Sequence, residues 1–81
     1  MSEPRVLRLH RDLYVGSAID QALELYGVHA RIARADEGEH VVLRIESARP
    51  GRAERVAREL ANYALGLTIQ ARGVETGAAA R

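Results

Sequence analysis

The side chains in this chain that could do chemistry are three histidines and twelve basic residues, all of them arginine. Imidazole is a common metal ligand, and guanidinium groups recognise carboxylates and phosphates. Alternation along three predicted strands places His10, His29 and His40 on one sheet face. The predicted hairpin register separates His29 from His40 by about six residues, or roughly 20 Å at ~3.3 Å per residue. That distance is too large for a shared ion, so the sequence predicts no metal site.

The same sheet face carries three arginines. The register places Arg31 directly opposite Arg44, where like charges destabilise a ladder. One interpretation is that Glu46 and water screen the repulsion. The other is an anion-accepting patch, in which a carboxylate or a phosphate lies between the guanidinium groups. The candidate binding residues are Arg31 and Arg44, joined by Arg8 if the first strand pairs beside the hairpin, and the expected ligand is an acidic partner segment.

No arrangement of residues typical of catalysis occurs in the sequence. A helix cap and a strand end explain Ser17 and Ser47. The sequence has no H-x-x-x-H motif, no glycine-rich phosphate loop and no cysteine. We therefore expect neither enzymatic activity nor a bound cofactor.

Length and composition favour a protein that works by contact. Eighty-one residues without Trp, Phe or a disulfide make a marginal core, which a second copy or a partner protein would extend. A net charge of +1 does not indicate a nucleic-acid or membrane partner, and the sheet face lacks the aromatics that stack on bases. No apolar run approaches the ~18–20 residues of a membrane span, and the first residues lack a signal-peptide pattern. The expected location is the cytoplasm.

The first half of the predicted fold is a strand followed by a helix. Residues 5–10 alternate between apolar and polar, as in a half-buried strand. Residues 13–26 then have the apolar period of an amphipathic helix. Ser17 is the predicted N-cap, with Asp20 three residues later, and Gly27 follows the helix where a positive φ is favoured.

A hairpin follows the first helix. Residues 28–35 and 40–47 alternate around a turn over 36–39, in which Gly38 supplies a positive φ. The predicted pairs are Ala35 with His40 and His29 with Glu46. The residues assigned to the buried face of this hairpin are Val28, Ala30, Ile32, Val41, Leu43 and Ile45.

The second helix begins at about Arg52, after the break at Pro50-Gly51. Its predicted apolar stripe consists of Val56, Leu60, Tyr63 and Leu67. Residues 65–71 also alternate, so a fourth strand there is the alternative. In the helix, Leu65 and Ile69 form a second apolar edge beside Tyr63, which predicts an interface for a homodimer or for another protein.

These elements give an α+β sandwich in the order β-α-β-β-α. Three strands form one sheet, and both helices cover the face that carries Leu7, Ile32 and Leu43. The predicted domain spans residues 1–75, and residues 76–81 form a disordered tail.

The sequence also resembles a known family. The residues that carry the resemblance are Leu13-Tyr14, Ala18-Ile19, Ala22, Glu59 to Leu65 (ELANYAL), Arg72 and Glu75-Thr76. With the alternating hairpin between them, they resemble the small HxsD-like proteins of His-Xaa-Ser peptide-modification systems, over roughly residues 7–76. The resemblance implies a non-catalytic accessory of a radical S-adenosylmethionine (SAM) maturase that acts on a ribosomally made peptide. The expected partner is that enzyme or its precursor peptide.

Two other roles remain open. The order β-α-β-β-α resembles the small dimerising subunit of the tRNA threonylcarbamoyl-adenosine complex, of which Asn62-Tyr63 is the only matching motif. A stand-alone structural or nucleic-acid-binding module is the other alternative.

Overall fold

The computed structural model describes the backbone of residues 4–80 and the side chains of residues 4–72. The elements are β1 (Arg5–His10), α1 (Gly16–Tyr26), β2 (Arg31–Glu37), β3 (His40–Glu46) and α2 (Arg52–Ala80). The predicted α+β class and the order β-α-β-β-α are confirmed. The predicted domain limit at residue 75 and the tail of 76–81 fall where no side chains are described, and both stay predictions.

The sheet is antiparallel, with the strand order β1-β3-β2. Central strand β3 contributes Val41, Leu43 and Ile45, which are fully buried. They are buried because β3 has a neighbour on each side and both helices pack over this one face. The core continues through Leu9 of β1 and Ile19 of α1. The other sheet face remains without a covering layer in the described part of the chain.

The hairpin register differs from the predicted one by two residues. The turn contains only Gly38 and Glu39, between the closing pair Glu37 and His40. Gly38 has the predicted positive φ, 61°, and Glu39 does not, which is the type II′ pattern of a two-residue loop. A shift of two residues leaves every side chain on its predicted face, so the hydrophobic pattern could not reveal it.

This register overturns three predicted pairs. Ala35 lies opposite Val42 and not His40, and Arg31 lies opposite Glu46 and not Arg44. The partner of Arg44 on β2 is Ala33. The third pair, His29 with Glu46, is also wrong, since His29 precedes the strand.

Strand β2 begins three residues later than the predicted start at residue 28. The strand begins at Arg31, because Tyr26 to Ala30 form a turn in which the backbone N–H of His29 donates to the Tyr26 carbonyl at 3.0 Å. Val28, predicted to be in the core, is 82% exposed on this turn. Ala30 and Ile32 do pack against the core, as predicted.

The predicted end of α1 at Tyr26 is confirmed, and its predicted start and the positive φ of Gly27 are wrong. The helix begins at Gly16, with extended Val15 as the N-cap and no side-chain cap, so Ser17 lies inside the first turn. The reason is tertiary: the Val15 N–H donates to the Thr68 hydroxyl of α2, which fixes where the chain enters the helix. At the other end, Gly27 has φ −63°, an ordinary helical value.

Helix α2 continues through residues 65–71, so the alternative of a fourth strand is wrong. Val56 and Leu60 are buried as predicted, but the stripe continues through Ala64 and Thr68 and not through Tyr63 and Leu67. The small side chains explain this rotation. Buried Ala64 lets α2 approach α1 closely, where Ala18 and Ala22 are also buried. The wider Tyr63 and Leu67 lie at the margin of this contact.

Candidate functional site

The outer side of α2 exposes two of the three residues predicted to form an interface. Leu65 and Ile69 lie one helical turn apart and are 40% and 61% exposed. Next to Leu65, at its i+3 and i+7 positions, are Thr68, which belongs to the buried stripe, and Arg72, which is exposed. Thr68 and Arg72 are the two residues that hold the β1–α1 loop, residues 11–15, against the helix.

That loop is attached to α2 at two points. The Val15 N–H donates to Thr68 Oγ1 at 3.1 Å, and Arg72 Nη2 donates to the Asp12 carbonyl at 2.6 Å. Between the two anchors lies Leu13, whose side chain is 59% exposed. The loop therefore brings a third exposed apolar residue to the part of α2 that contains Thr68 and Arg72. We call Leu13, Leu65 and Ile69 the α2 strip.

The third predicted interface residue, Tyr63, is not part of this strip. Tyr63 and Leu65 are two residues apart in a helix, so their side chains point in nearly opposite directions. The Tyr63 ring packs edge-to-face against Tyr26 of α1, with the ring centres 6.0 Å apart. The structure brings Leu65 and Ile69 together and leaves Tyr63 on the side of α2 that faces α1.

The three predicted anion-binding arginines all lie on the open sheet face, and a carboxylate lies near each of them. Arg44 Nε is 3.0 Å from Glu46 Oε2, and Arg8 Nη1 is 3.7 Å from Glu37 Oε1. Arg31 is the cross-strand partner of Glu46. The repulsion between Arg31 and Arg44 that motivated an anion-accepting patch is therefore absent from this register. The anion-accepting patch stays a prediction, but the electrostatic repulsion from which it was inferred is no longer an argument for it.

An ion-pair network joins α1 to the edge strand β2. Arg34 Nη1 is 2.7 Å from Asp20 Oδ1 of α1, and Arg34 Nε is 3.3 Å from Asp36 Oδ1. The hydrogen bond that Arg34 donates to Asp20 raises the pKa of Arg34, against a smaller opposing effect of burial, and Asp36 raises it further. The guanidinium is charged at any ordinary pH, and a charge on the helix side of an edge strand discourages pairing with another chain. We assign Arg34 a structural role.

The strand order creates a cluster of histidines and carboxylates that sequence reasoning missed. His10 of β1 is the cross-strand partner of His40, and their rings meet edge-to-face with centres 4.8 Å apart. Donor atoms of His10, Asp12 and Glu39 all lie within 4.8 Å of one another. The H-x-D spacing of residues 10–12 and the adjacent Glu39-His40 were available signals. Using them required knowing that β1 pairs with β3.

A partly enclosed cleft of about 210 Å³ lies between the end of α1 and the start of α2. Its walls include Tyr26, His29, Arg52 and Val56, and the Arg55–Glu59 ion pair of 3.1 Å closes one side. The cleft is smaller than the ~300–1,000 Å³ typical of small-molecule sites. It lacks an unpartnered buried polar group among the described residues, and we assign it no ligand.

Comparison of the chain with known protein families, curated proteins and solved structures finds no match. Among the described residues, neither helix combines the length and the hydropathy required to cross a membrane.

Proposed function

We propose that this protein is a non-catalytic accessory that acts by binding other proteins through the α2 strip. The observation that carries the proposal is the exposure of Leu65 and Ile69 of α2, and of Leu13 in the loop that is bonded to this helix. Scattered apolar side chains are ordinary on a protein surface. Here Leu65 and Ile69 lie one helical turn apart, and the loop that contains Leu13 is held against the same helix by Thr68 and Arg72.

The size of the strip sets the strength of the contact. Covering a side chain that is about half exposed contributes about 1 kcal/mol, so two copies packed through the strip gain about 6 kcal/mol. Association costs at least ~4 kcal/mol in lost motional freedom. The strip alone therefore supports a weak homodimer, and a tight complex requires a partner that covers more of the surface.

The finer proposal is that the natural partner is a radical SAM maturase or its precursor peptide. It is supported by the resemblance to HxsD-like proteins, in residues 13–22 and 59–65, and it is compatible with a surface built for contact. We also propose that the protein functions in the cytoplasm, where such maturation of a ribosomally made peptide takes place.

Sedimentation equilibrium of the purified chain over a wide concentration range tests the first part. We expect weak self-association that Leu65→Glu abolishes, because the charge would be buried at the centre of the strip. Leu25→Glu is the matched control: Leu25 is similarly exposed, at 47%, but lies on α1. A monomer at the highest concentration, or equal loss in both variants, would contradict a contact through the strip.

Co-purification with a radical SAM enzyme encoded beside the gene tests the finer proposal. Capture by the wild-type chain, reduced by Leu65→Glu and unchanged by Leu25→Glu, would support it. Failure to capture that enzyme or its precursor peptide would refute the maturation role and leave the self-association result untouched.

A further inference from the structure

We propose a Zn²⁺-binding site at the end of the sheet where the β2–β3 turn lies. Its ligands are His10, Asp12, Glu39 and His40. Two imidazoles and two carboxylates make a four-donor set of nitrogen and oxygen, which suits Zn²⁺. Oxygen-seeking Mg²⁺ prefers six oxygen or water ligands and suits the set poorly. This site is separate from the α2 strip, and its existence does not depend on the proposed function.

Strand pairing places the two imidazoles together. The two-residue turn makes Glu37 and His40 a hydrogen-bonded pair, so His40 directs its backbone N–H and C=O toward β2. Its pair with His10 on the other side is therefore of the non-hydrogen-bonded kind, in which side chains lie closest. The 4.8 Å between the ring centres agrees with this geometry. The ring of His40 therefore lies beside His10, and a rotation of the His40 side chain is required to bring one of its nitrogens to the same ion.

The two carboxylates come from the chain segments that flank this pair. His10 Nδ1 lies 3.8 Å from Asp12 Oδ2, and Glu39 supplies an oxygen within 4.8 Å of both residues. Donors bound to one zinc ion at ~2.0–2.2 Å are roughly 3.3 Å apart. The donors of His10, Asp12 and Glu39 must therefore approach one another by up to about 1.5 Å. Asp12 and Glu39 are exposed, so rotation of their side chains can supply most of that movement.

The hydrogen bonding of His10 leaves its Nδ1 able to bind a cation. Its Nδ1 accepts the backbone N–H of Asp12 at 3.1 Å, so this nitrogen carries a lone pair and the proton of the neutral ring is on Nε2. A cation at Nδ1 would replace that one bond, and the exposed N–H would bond to water. Nearby positive charge is already paired: Arg11 lies 3.1 Å from Asp36, and Arg8 pairs with Glu37. The carboxylates of the site are thus left for an incoming ion.

Calorimetric titration of the untagged chain with Zn²⁺, and in parallel with Mg²⁺, tests the site. We expect one zinc ion per chain, no heat with Mg²⁺, and affinity reduced at least tenfold by His10→Ala or His40→Ala. His29→Ala is the matched control: this third histidine lies on the turn after α1, and its loss should leave zinc affinity unchanged. In NMR spectra, zinc should move the imidazole signals of His10 and His40 and leave those of His29 in place.

Circular dichroism of each variant shows whether it is folded. If a histidine variant does not fold, Asp12→Asn and Glu39→Gln replace it, since both residues are exposed and each removes one donor charge. Reduced zinc affinity in those variants would support the site. Absence of zinc binding by the wild-type chain, or affinity lowered equally by His29→Ala, would overturn the proposal.

Discussion

Thr68 contributes a buried polar contact between the helices, and removing its hydroxyl should measurably destabilise the fold. The residue is 1% exposed, and its Oγ1 accepts the N–H of Val15 at 3.1 Å. Thr68→Val keeps the shape and the β-branching but leaves that N–H without an acceptor. An unsatisfied, partly buried donor costs about 1–3 kcal/mol. That is a large share of the roughly 4–12 kcal/mol by which a domain of this length is stable.

Thermal unfolding followed by circular dichroism measures the effect. A loss of 1 kcal/mol lowers Tm by about 4–8 °C in a domain of this size. Thr68→Ser is the matched control, because it keeps the oxygen and removes only a methyl group worth about 0.8 kcal/mol. Amide hydrogen exchange adds a local readout: the Val15 N–H should be protected in the wild-type chain and in Thr68→Ser, and unprotected in Thr68→Val.

Unchanged Tm and unchanged Val15 protection in Thr68→Val would refute this reasoning. A larger loss in Thr68→Ser than in Thr68→Val would show that the methyl group packs in the core and that the hydroxyl contributes little. Either result would also weaken the account of the α1 start, since the Val15–Thr68 bond is the physical reason given for it.

Three further substitutions separate backbone, helix and charge effects. Gly38→Ala should lower stability by about 1–2 kcal/mol, measured by urea unfolding, because residue 38 has φ 61°, which is strained for alanine. The new methyl group has no neighbouring atom to contact, so packing does not offset this strain. Gly66→Ala should instead raise stability by up to about 1 kcal/mol, since this exposed helical glycine also has open space around it. Arg34→Ala should cost at most about 1 kcal/mol, with the loss shrinking in high salt, because its pairs with Asp20 and Asp36 are exposed. Because the pKa of Arg34 is raised above its ordinary, strongly basic value, this contribution is fully present at neutral pH and is lost only in strongly alkaline solution. The stability difference should therefore not change between pH 6 and 9 because of Arg34 itself.

The hydrophobic period was sufficient to predict element order, and it was insufficient for register. Buried Leu43 and Ile45 and partly buried Ile32 all lie on their predicted face, because alternation defines the face of a strand. A two-residue turn and a four-residue turn around Gly38 satisfy that alternation equally well. The choice between them depends on local turn energetics, which the apolar pattern does not contain. The candidate patch of Arg31 and Arg44 rested on the longer turn and lost its electrostatic reason with it.

Contacts between residues distant in the sequence account for the other differences between the predicted and the observed helices. Ser17 has the right type and spacing for a cap, yet α1 begins earlier because Val15 bonds to Thr68, 53 residues away in the chain. Tyr63 and Leu67 fit the helical period as well as Ala64 and Thr68 do. The smaller pair is buried because it permits close approach of α1, which is a property of two helices together and not of either sequence alone.

The β1–α1 loop connects the two proposed sites, so zinc binding and self-association should be measured on the same variants. Asp12 directs its carboxylate to the histidine cluster, while its carbonyl accepts the hydrogen bond from Arg72 of α2. The next residue, Leu13, belongs to the α2 strip. A cation bound at Asp12 would therefore restrain the same segment that presents Leu13. Leu65→Glu changes the strip without altering a metal donor, and Glu39→Gln removes a donor without altering the strip. Measuring zinc affinity and self-association in both variants separates the sites. If both proposals hold, Leu65→Glu should lower self-association and Glu39→Gln should lower zinc affinity. If one proposal fails, the measurement that tests the other proposal is unaffected.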